Sequence, residues 1–225
     1  MAFREDRLSV PRELRFPIAP QAYRISGALV VLAFGTLVLG GLWLAGLFLV
    51  LAAANLAFFR NPRRAIPPGE NRVLAPADGR VVEVAKLEDP GGFVGPAWRI
   101  AIFLSVFNVH IQRVPFSGRV MAISRKGGRF LAAFQSGASE RNVQTRVDIE
   151  GPSQIRVGVV QIVGLIARRI ICYPAVGGTL MRGEPYGLIA YGSRLEIYLP
   201  AQSEVCVQQG DRVRGGQTVI AEVRS

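Results

Sequence analysis

Hydrophobic and polar positions follow two contrasting patterns along this 225-residue chain. From Ile25 to Phe59 there is no charged residue, whereas from Val73 onward apolar and polar residues alternate in short runs between glycine turns. A long uncharged apolar run is typical of membrane helices, and alternation with period two is typical of half-buried strands. The pattern therefore predicts an apolar helical segment followed by a mainly β domain.

The predicted strands are rich in β-branched and aromatic residues and are bounded by glycine or proline. They lie in VLAPADGRVVEV, WRIAIFLSVFNVHIQRVPFSGRVMAI, TRVDIEG, IRVGVVQIVG, LIAYGSRLEIYLP and QTVIAEV. The stretch VVQIVGLIARRIICY also fits a helical period, but its β-branched residues favour strand over most of its length. Two turns, APADGRVVEV and VPFSGRVMAI, share Pro-x-x-Gly-Arg-Val and resemble the turns of lipoyl and biotinyl carrier domains, although such turns also occur in other β proteins.

The uncharged run is too long for one upright helix in a bilayer. As a single helix it would measure about 50 Å, against a hydrocarbon core of roughly 30 Å. Arginines flank it on both sides: Arg4, Arg7, Arg12, Arg15 and Arg24 before it, and Arg60, Arg63, Arg64 and Arg72 after it. Since positive residues favour the cytoplasmic side, a helical hairpin turning near Gly40 and Gly41 is preferred over one tilted span. Both of its ends would then lie in the cytoplasm.

These patterns divide the chain into four segments. Residues 1–24 are a basic lead-in, residues 25–59 a membrane-anchoring helical hairpin, residues 60–72 a Pro- and Arg-rich linker, and residues 73–225 a β-rich domain. The sequence thus predicts an α+β, mainly β soluble domain with lipoyl-like turn elements behind a hydrophobic helical anchor.

Charge and cysteine content narrow the choice of partners. The formal net charge is +11, and Lys86 and Lys126 are the only lysines. Such an arginine excess favours an anionic partner, either nucleic acid or lipid phosphate. The apolar run and the lack of aromatic–basic interleaving argue against nucleic acid. Cys172 and Cys206 have no spacing typical of a disulfide framework or a metal site, and we expect no metal.

Three side chains are candidates for chemistry, although each is more often structural. His110 is the only histidine, which excludes multi-histidine metal sites but leaves general base catalysis open. Asp78, in PADGRV, is a candidate to orient a histidine ring, yet Asp-Gly pairs usually mark turns. Ser193 is a candidate hydroxyl nucleophile, and Gly192 before it leaves its own carbonyl accessible. No G-x-S-x-G elbow and no glycine-rich phosphate loop occur.

Several sequence blocks, in order, resemble the phosphatidylserine decarboxylase proenzyme family, in particular its short bacterial and archaeal branch. They are FFRNPRRAIPPGENRVLAPADGRVVEV, IFLSVFNVHIQRVPFSGRV, GRFLAAFQSGASERN, VVQIVGLIARRIICY and MRGEPYGLIAYGSRLEIYLP. The resemblance covers residues 58–200. It implies a pyruvoyl-dependent enzyme that cleaves its own chain at a Gly-Ser bond, with the family's aspartate, histidine and cleaved pair at Asp78, His110 and Gly192–Ser193.

The chain departs from the family pattern at two places. Asn108 stands two residues before the histidine, where the family often has an acidic residue. The block after ASERN reads VQT, where the family more usually continues with more polar residues. The first departure removes a nearby charge, and the second puts the local loop in doubt.

The resemblance also implies a reaction and a location. Ser193 would attack the Gly192 carbonyl with His110 as general base and Asp78 orienting the ring, leaving fragments 1–192 and 193–225 as a heterodimer with a covalent pyruvoyl cofactor at residue 193. The enzyme would convert phosphatidylserine to phosphatidylethanolamine and CO2, with His110 also the proton donor to the product. We expect it at the cell membrane with its catalytic domain on the cytoplasmic side. Homo-oligomerisation is left open.

Two further hypotheses concern the role of three arginines and an alternative function of the whole chain. Arg63, Arg64 and Arg113 are candidates to contact the lipid headgroup phosphate, because arginine's planar fork suits phosphate oxygens. The alternative function is a non-enzymatic, membrane-anchored, lipoyl-like β adaptor module. That alternative explains the anchor and the C-terminal GDRVRGGQTVIAEV, but it gives no reason for the Gly-Ser pair or for the ordered blocks.

Overall fold

A computed structural model describes residues 14–91, 95–131, 138–165, 169–190 and 192–223. The chain divides into two compact units, whose described parts are residues 14–63 and residues 64–223. The first unit is helical and the second is built mainly of strands.

The helical unit holds α1, Gln21–Val38, and α2, Leu42–Phe58. The turn between them contains Gly40 at a φ of +78°, a conformation that favours glycine. Asn55 of α2 donates hydrogen bonds to the carbonyl of Ala22 at 3.0 Å and to the Ser26 hydroxyl at 2.9 Å, so the start of α1 lies against the end of α2. Helix α1 is long and apolar enough to cross a membrane, while α2 is apolar but shorter. Insertion as a hairpin stays a prediction.

The second unit contains fourteen strands and one short α-helix among its described residues, besides a 3-10 turn at Pro152–Gln154. They are β1 Arg72–Leu74, β2 Gly79–Leu87, β3 Ala97–Leu104, β4 Ile111–Arg113, β5 Gly118–Lys126, α3 Ala138–Arg141, β6 Gln144–Glu150, β7 Arg156–Val163, β8 Ile170–Cys172, β9 Thr179–Leu180, β10 Pro185–Ile189, β11 Ser193–Pro200, β12 Glu204–Val205, β13 Arg212–Val213 and β14 Val219–Glu222. This content confirms the mainly β prediction. The stretch VVQIVGLIARRIICY supplies strand at both ends, in β7 and β8, and residues 166–168 between them lie outside the described residues.

The strands form three antiparallel sheets. The long sheet has the order β13-β2-β3-β11-β7-β6-β5-β9, and the two small sheets have the orders β4-β10-β8 and β1-β14-β12. Strand β11 lies inside the long sheet, paired to β3 along its whole length and to β7 from Ser193 to Tyr198. The sheet therefore holds both backbone edges of the segment that begins at Ser193.

One large hydrophobic cluster contains residues of all three sheets. It contains Leu195 and Ile197 of β11, Tyr186 of β10 and Ile220 of β14. Strand β11 differs from the expected half-buried strand, because the residues of its second face, Arg194 among them, are buried as well. Those polar residues tolerate burial because they pair with charged and hydroxyl groups, as described below.

Candidate active site

The Gly192–Ser193 bond lies where the chain enters the long sheet after β10. Gly192 has a φ of +71°, which side chains other than glycine rarely adopt. A Cβ at this position would meet no heavy atom within 4 Å. The backbone conformation, and not a shortage of space, is therefore what calls for glycine. Tyr191 lies outside the described residues.

Ser193 is the first residue of β11 and is 0% exposed. It pairs with Leu104 of β3 and Val163 of β7. Its Oγ has no hydrogen-bond partner among the described residues. Because buried polar groups are nearly always hydrogen-bonded, an unpartnered hydroxyl indicates a role other than stability.

His110 lies against the same bond. It immediately precedes β4, and β4 pairs with β10 through Ile111 and Leu188, which brings the buried ring beside the chain that leaves β10. Its Nδ1 is 2.9 Å from the carbonyl oxygen of Asn108. A carbonyl only accepts, so Nδ1 carries the hydrogen and Nε2 keeps a lone pair in the neutral ring. That Nε2 accepts a hydrogen bond from the backbone N–H of Gly192 at 3.4 Å.

Asp78 is fixed by two other groups. Its Oδ2 accepts from Arg64 at 2.8 Å, and its Oδ1 accepts from the backbone N–H of Gly215 at 2.8 Å. The structure thus brings His110 to the Gly192–Ser193 bond and ties Asp78 to Arg64 and Gly215. The hydrogen bond on the His110 Nδ1 comes from the Asn108 backbone. A role of Asp78 in orienting His110 stays a prediction.

Two of the three headgroup candidates lie close to Asp78. Arg64 contacts it directly, and Arg113 is buried and donates to the carbonyl of Gly183 at 2.9 Å. Burial, together with the nearby charge of Arg64, lowers the pKa of Arg113 to about 10, while Asp78 opposes this shift. Arg63 belongs to the helical unit and is exposed.

On the opposite face of β11, charged and hydroxyl groups satisfy one another. Arg194 bonds Glu196 at 2.8 Å and Glu83 at 2.7 Å, and Glu83 also pairs with Arg99. Glu196 accepts further hydrogen bonds from the hydroxyls of Ser139 at 2.5 Å and Tyr198 at 2.9 Å. Burial alone would raise the pKa of Glu83, but the hydrogen bonds and charges of Arg99 and Arg194 outweigh it and lower that pKa.

Sequence reasoning missed a buried glutamine pair. Gln112 of β4 and Gln161 of β7 are both 0% exposed, and their side-chain amides are 2.6 Å apart. A signal was present, since Gln161 is the only polar side chain in the run VGVVQIV. A glutamine at an inward strand position is a buried polar group that needs an explanation.

The chain is similar to proteins of a known family. The phosphatidylserine decarboxylase family model matches residues 51–221. A phosphatidylserine decarboxylase proenzyme of Carboxydothermus hydrogenoformans is 45% identical over 86% of this chain and 93% of its own length. One from Geotalea daltonii is 41% identical over 93% of this chain and 98% of its own, and one from Mycobacteroides abscessus is 46% identical over 80% and 78%.

Proposed function

The chain belongs to the phosphatidylserine decarboxylase family, and from that premise we propose that it decarboxylates phosphatidylserine to phosphatidylethanolamine and CO2 with a pyruvoyl group made from its own Ser193. The observation that carries this proposal is the Gly192–Ser193 bond itself. Gly192 is held at positive φ, the Ser193 hydroxyl is buried without a partner among the described residues, and the His110 Nε2 contacts the Gly192 N–H.

The surroundings of Ser193 fit such a group. The residue begins a strand paired on both sides, so a group at its position is held rigidly, as a functional site requires. Its hydroxyl is engaged by no described residue. When present, a pyruvoyl group supplies an electron sink that accepts the electron pair of the bond broken as CO2 leaves, by the same logic as pyridoxal phosphate.

Cleavage follows from the orientation of His110. The Asn108 carbonyl holds the hydrogen on Nδ1, so Nε2 carries a lone pair and no proton; in this proposal it exchanges its 3.4 Å contact with the Gly192 N–H for the proton on the Ser193 Oγ. Oγ then attacks the carbonyl carbon of Gly192, and an ester replaces the peptide bond. Loss of the Ser193 α-proton expels the Gly192 carboxylate by β-elimination. Water hydrolyses the dehydroalanine that remains, releasing ammonia and leaving the pyruvoyl group.

His110 has a second role in this proposal. After decarboxylation the product carbon needs a proton, and the buried imidazole beside residue 193 is the group we assign to supply it. We assign Asp78 the support of this histidine, and Arg64 and Arg113 contacts to the lipid phosphate. Arg64 and Arg113 carry positive charge next to a single carboxylate, which favours an anion nearby.

The mature protein in this proposal is a heterodimer of residues 1–192 and 193–225 at the cytoplasmic face of the cell membrane. Arginines on both sides of the apolar run support this sidedness, and α1 is apolar and long enough to span a bilayer. The same proposal includes a lipoyl-like arrangement of the turns before β2 and β5, supported by the Pro-x-x-Gly-Arg-Val sequence that they share.

Intact mass under denaturing conditions tests the proposal. We expect the wild-type protein to give two pieces, one ending at Gly192 and one beginning with a blocked residue 193, and Ser193→Ala protein to give one full-length chain. Only the cleaved protein should release CO2 from phosphatidylserine. One full-length chain in both proteins would reject self-cleavage and leave the lipoyl-like adaptor module as the working function.

A further inference from the structure

The buried glutamine pair, Gln112 and Gln161, lies on the face of the long sheet that carries the Ser193 side chain. In an antiparallel pair, residues directly opposite each other point to the same face. Ser193 is opposite Val163 and Leu195 is opposite Gln161, so Ser193 and Gln161 share one face as diagonal neighbours. Such neighbours are about 7–8 Å apart.

The orientation of both amides follows from one backbone contact. The Gln161 Nε2 lies 3.4 Å from the carbonyl oxygen of Ile171, which only accepts, so this atom is the amide nitrogen. The same nitrogen donates to the Gln112 Oε1. The Gln112 Nε2 and the Gln161 Oε1 then remain, one donor and one acceptor, both buried and without a partner among the described residues. Leaving such atoms unbonded costs about 1–3 kcal/mol each.

Gln112 also stands two residues after His110, and two residues along an extended chain is about 7 Å. His110 reaches the Gly192 N–H, while Gln112 reaches Gln161. Residue 193 and the two amides therefore lie near enough to one another for one small ligand to reach all three.

We propose that Gln112 and Gln161 form the subsite for the amino-acid end of the serine headgroup when the lipid first binds, with the Gln112 Nε2 donating to its carboxylate and the Gln161 Oε1 accepting from an N–H of its amine. The inference rests on the proposed function, because it takes phosphatidylserine as the ligand. One unused donor and one unused acceptor match the one carboxylate and one amine of serine. A neutral amide also suits a carboxylate that must leave, because a cation there would stabilise the substrate more than the transition state.

Comparing two lipids tests this assignment. Phosphatidylethanolamine keeps the amine but lacks the carboxylate, so Gln112→Met should raise the KM for phosphatidylserine about tenfold and leave the inhibition constant of phosphatidylethanolamine unchanged. Gln161→Met should weaken both lipids, since both carry the amine. Gln208→Met, at an exposed position, is the matched control and should change neither constant.

Direct binding gives a second readout that needs no pyruvoyl group. Short-chain forms of the two lipids are titrated into uncleaved Ser193→Ala protein with and without Gln112→Met. We expect the substitution to weaken only phosphatidylserine. If Gln112→Met protein is insoluble, Gln112→Asn replaces it. This variant keeps the amide but shortens the side chain by one methylene, and it should also weaken only the binding of phosphatidylserine.

Three results would overturn the subsite. The Gln112 variant would bind phosphatidylserine as tightly as before, or it would lose affinity equally for both lipids. Alternatively, Gln208→Met would cause the same loss as Gln112→Met. These results are distinct from failure of the proposed function, in which wild-type protein neither cleaves nor decarboxylates. In that case the titrations on Ser193→Ala protein still decide whether the glutamine pair distinguishes the two headgroups, and equal binding of both lipids there counts against it.

Discussion

On one face of β11, Arg194, Glu196 and Tyr198 satisfy one another's charges and hydrogen bonds, whereas on the other face Ser193 precedes a row of apolar side chains and its hydroxyl has no partner among the described residues. The two faces belong to the same eight residues and both are buried. They differ in polarity and in whether the polar groups that they hold are paired.

The comparison shows that the buried polar groups of β11 have two different roles. A paired network such as Arg194–Glu196 contributes structure, and removing one member leaves another charge buried and uncompensated. An unpaired buried hydroxyl costs folding free energy and is available for reaction. Substitutions on the Ser193 face should therefore change cleavage first, while substitutions on the Arg194 face should change stability first.

The largest expected effect is on cleavage. His110→Gln removes the base but keeps a polar side chain of similar size, so cleavage should slow by about 10³-fold, within the range for loss of a general base. The fraction of cleaved chain is followed by intact mass over time. Tyr198→Phe, on the opposite face of β11, is the control and should cleave at the wild-type rate. Wild-type cleavage by the His110 variant would remove this histidine from the mechanism.

A large loss of stability is expected from a substitution on the Arg194 face of β11. Glu196→Ala should lower the free energy of unfolding by about 3 kcal/mol, because Arg194 loses one of its two carboxylates and two hydroxyls lose their acceptor. Urea unfolding is measured in the Ser193→Ala background, where the chain stays whole. Arg156→Met, which breaks an exposed ion pair with Glu150, should cost at most about 1 kcal/mol. Equal losses in the two variants would mean that a buried ion pair contributes no more to the free energy of unfolding than an exposed one.

A substitution of Asp78 should have a smaller effect on the rate of cleavage at Ser193. If this carboxylate supports His110, Asp78→Asn should slow cleavage by about tenfold, comparable to the loss when the group that orients a metal-bound histidine is removed. Gln217→Met is the matched control, since it removes the other side-chain partner of Arg64 and leaves Asp78 intact. An unchanged rate in Asp78→Asn would leave the Asn108 carbonyl as the group that fixes the ring.

The smallest expected effect concerns the phenol of Tyr198. Burial, and next the charge of Glu196, raise the pKa of Tyr198 to about 12. Tyr198→Phe should cost about 1 kcal/mol near neutral pH, because Glu196 loses a donor. A raised pKa adds stability that is complete below the unfolded value near 10 and is lost as pH rises toward 12. Urea titrations of both proteins from pH 8 to 12 should therefore show the difference shrinking, and a constant difference would contradict this reading.

Local patterns predicted much of this arrangement. The segment LIAYGSRLEIYLP was predicted as a strand from its alternation; it contains β11, whose alternating apolar residues Leu195 and Ile197 are fully buried. The alternation depends on residue spacing within a few positions, which a sequence displays directly. The contact of His110 with Gly192, 82 residues away, was expected only from the resemblance to the decarboxylase family.

Other features depend on contacts between distant segments. The burial of Arg194 arises from Glu83, 111 residues away, and the two glutamines that contact each other are 49 residues apart. The His110 Nδ1 is hydrogen-bonded to the backbone carbonyl oxygen of Asn108. No pattern of side chains indicates such a contact. Residue type identified the chemistry, whereas sheet order determined which groups meet.

The position of β11 also limits when the chain is able to fold. Cleavage before Ser193 would put β11, β12, β13 and β14 on a short second polypeptide, and three of these strands pair with β3, β7, β2 and β1 of the long one. Folding of the whole chain is a first-order process, but reassembly of the two pieces is second order and depends on their concentration. Once cut, the protein has lost the covalent link that let its central strand find its place. Its persistence is then governed by how slowly the pieces separate.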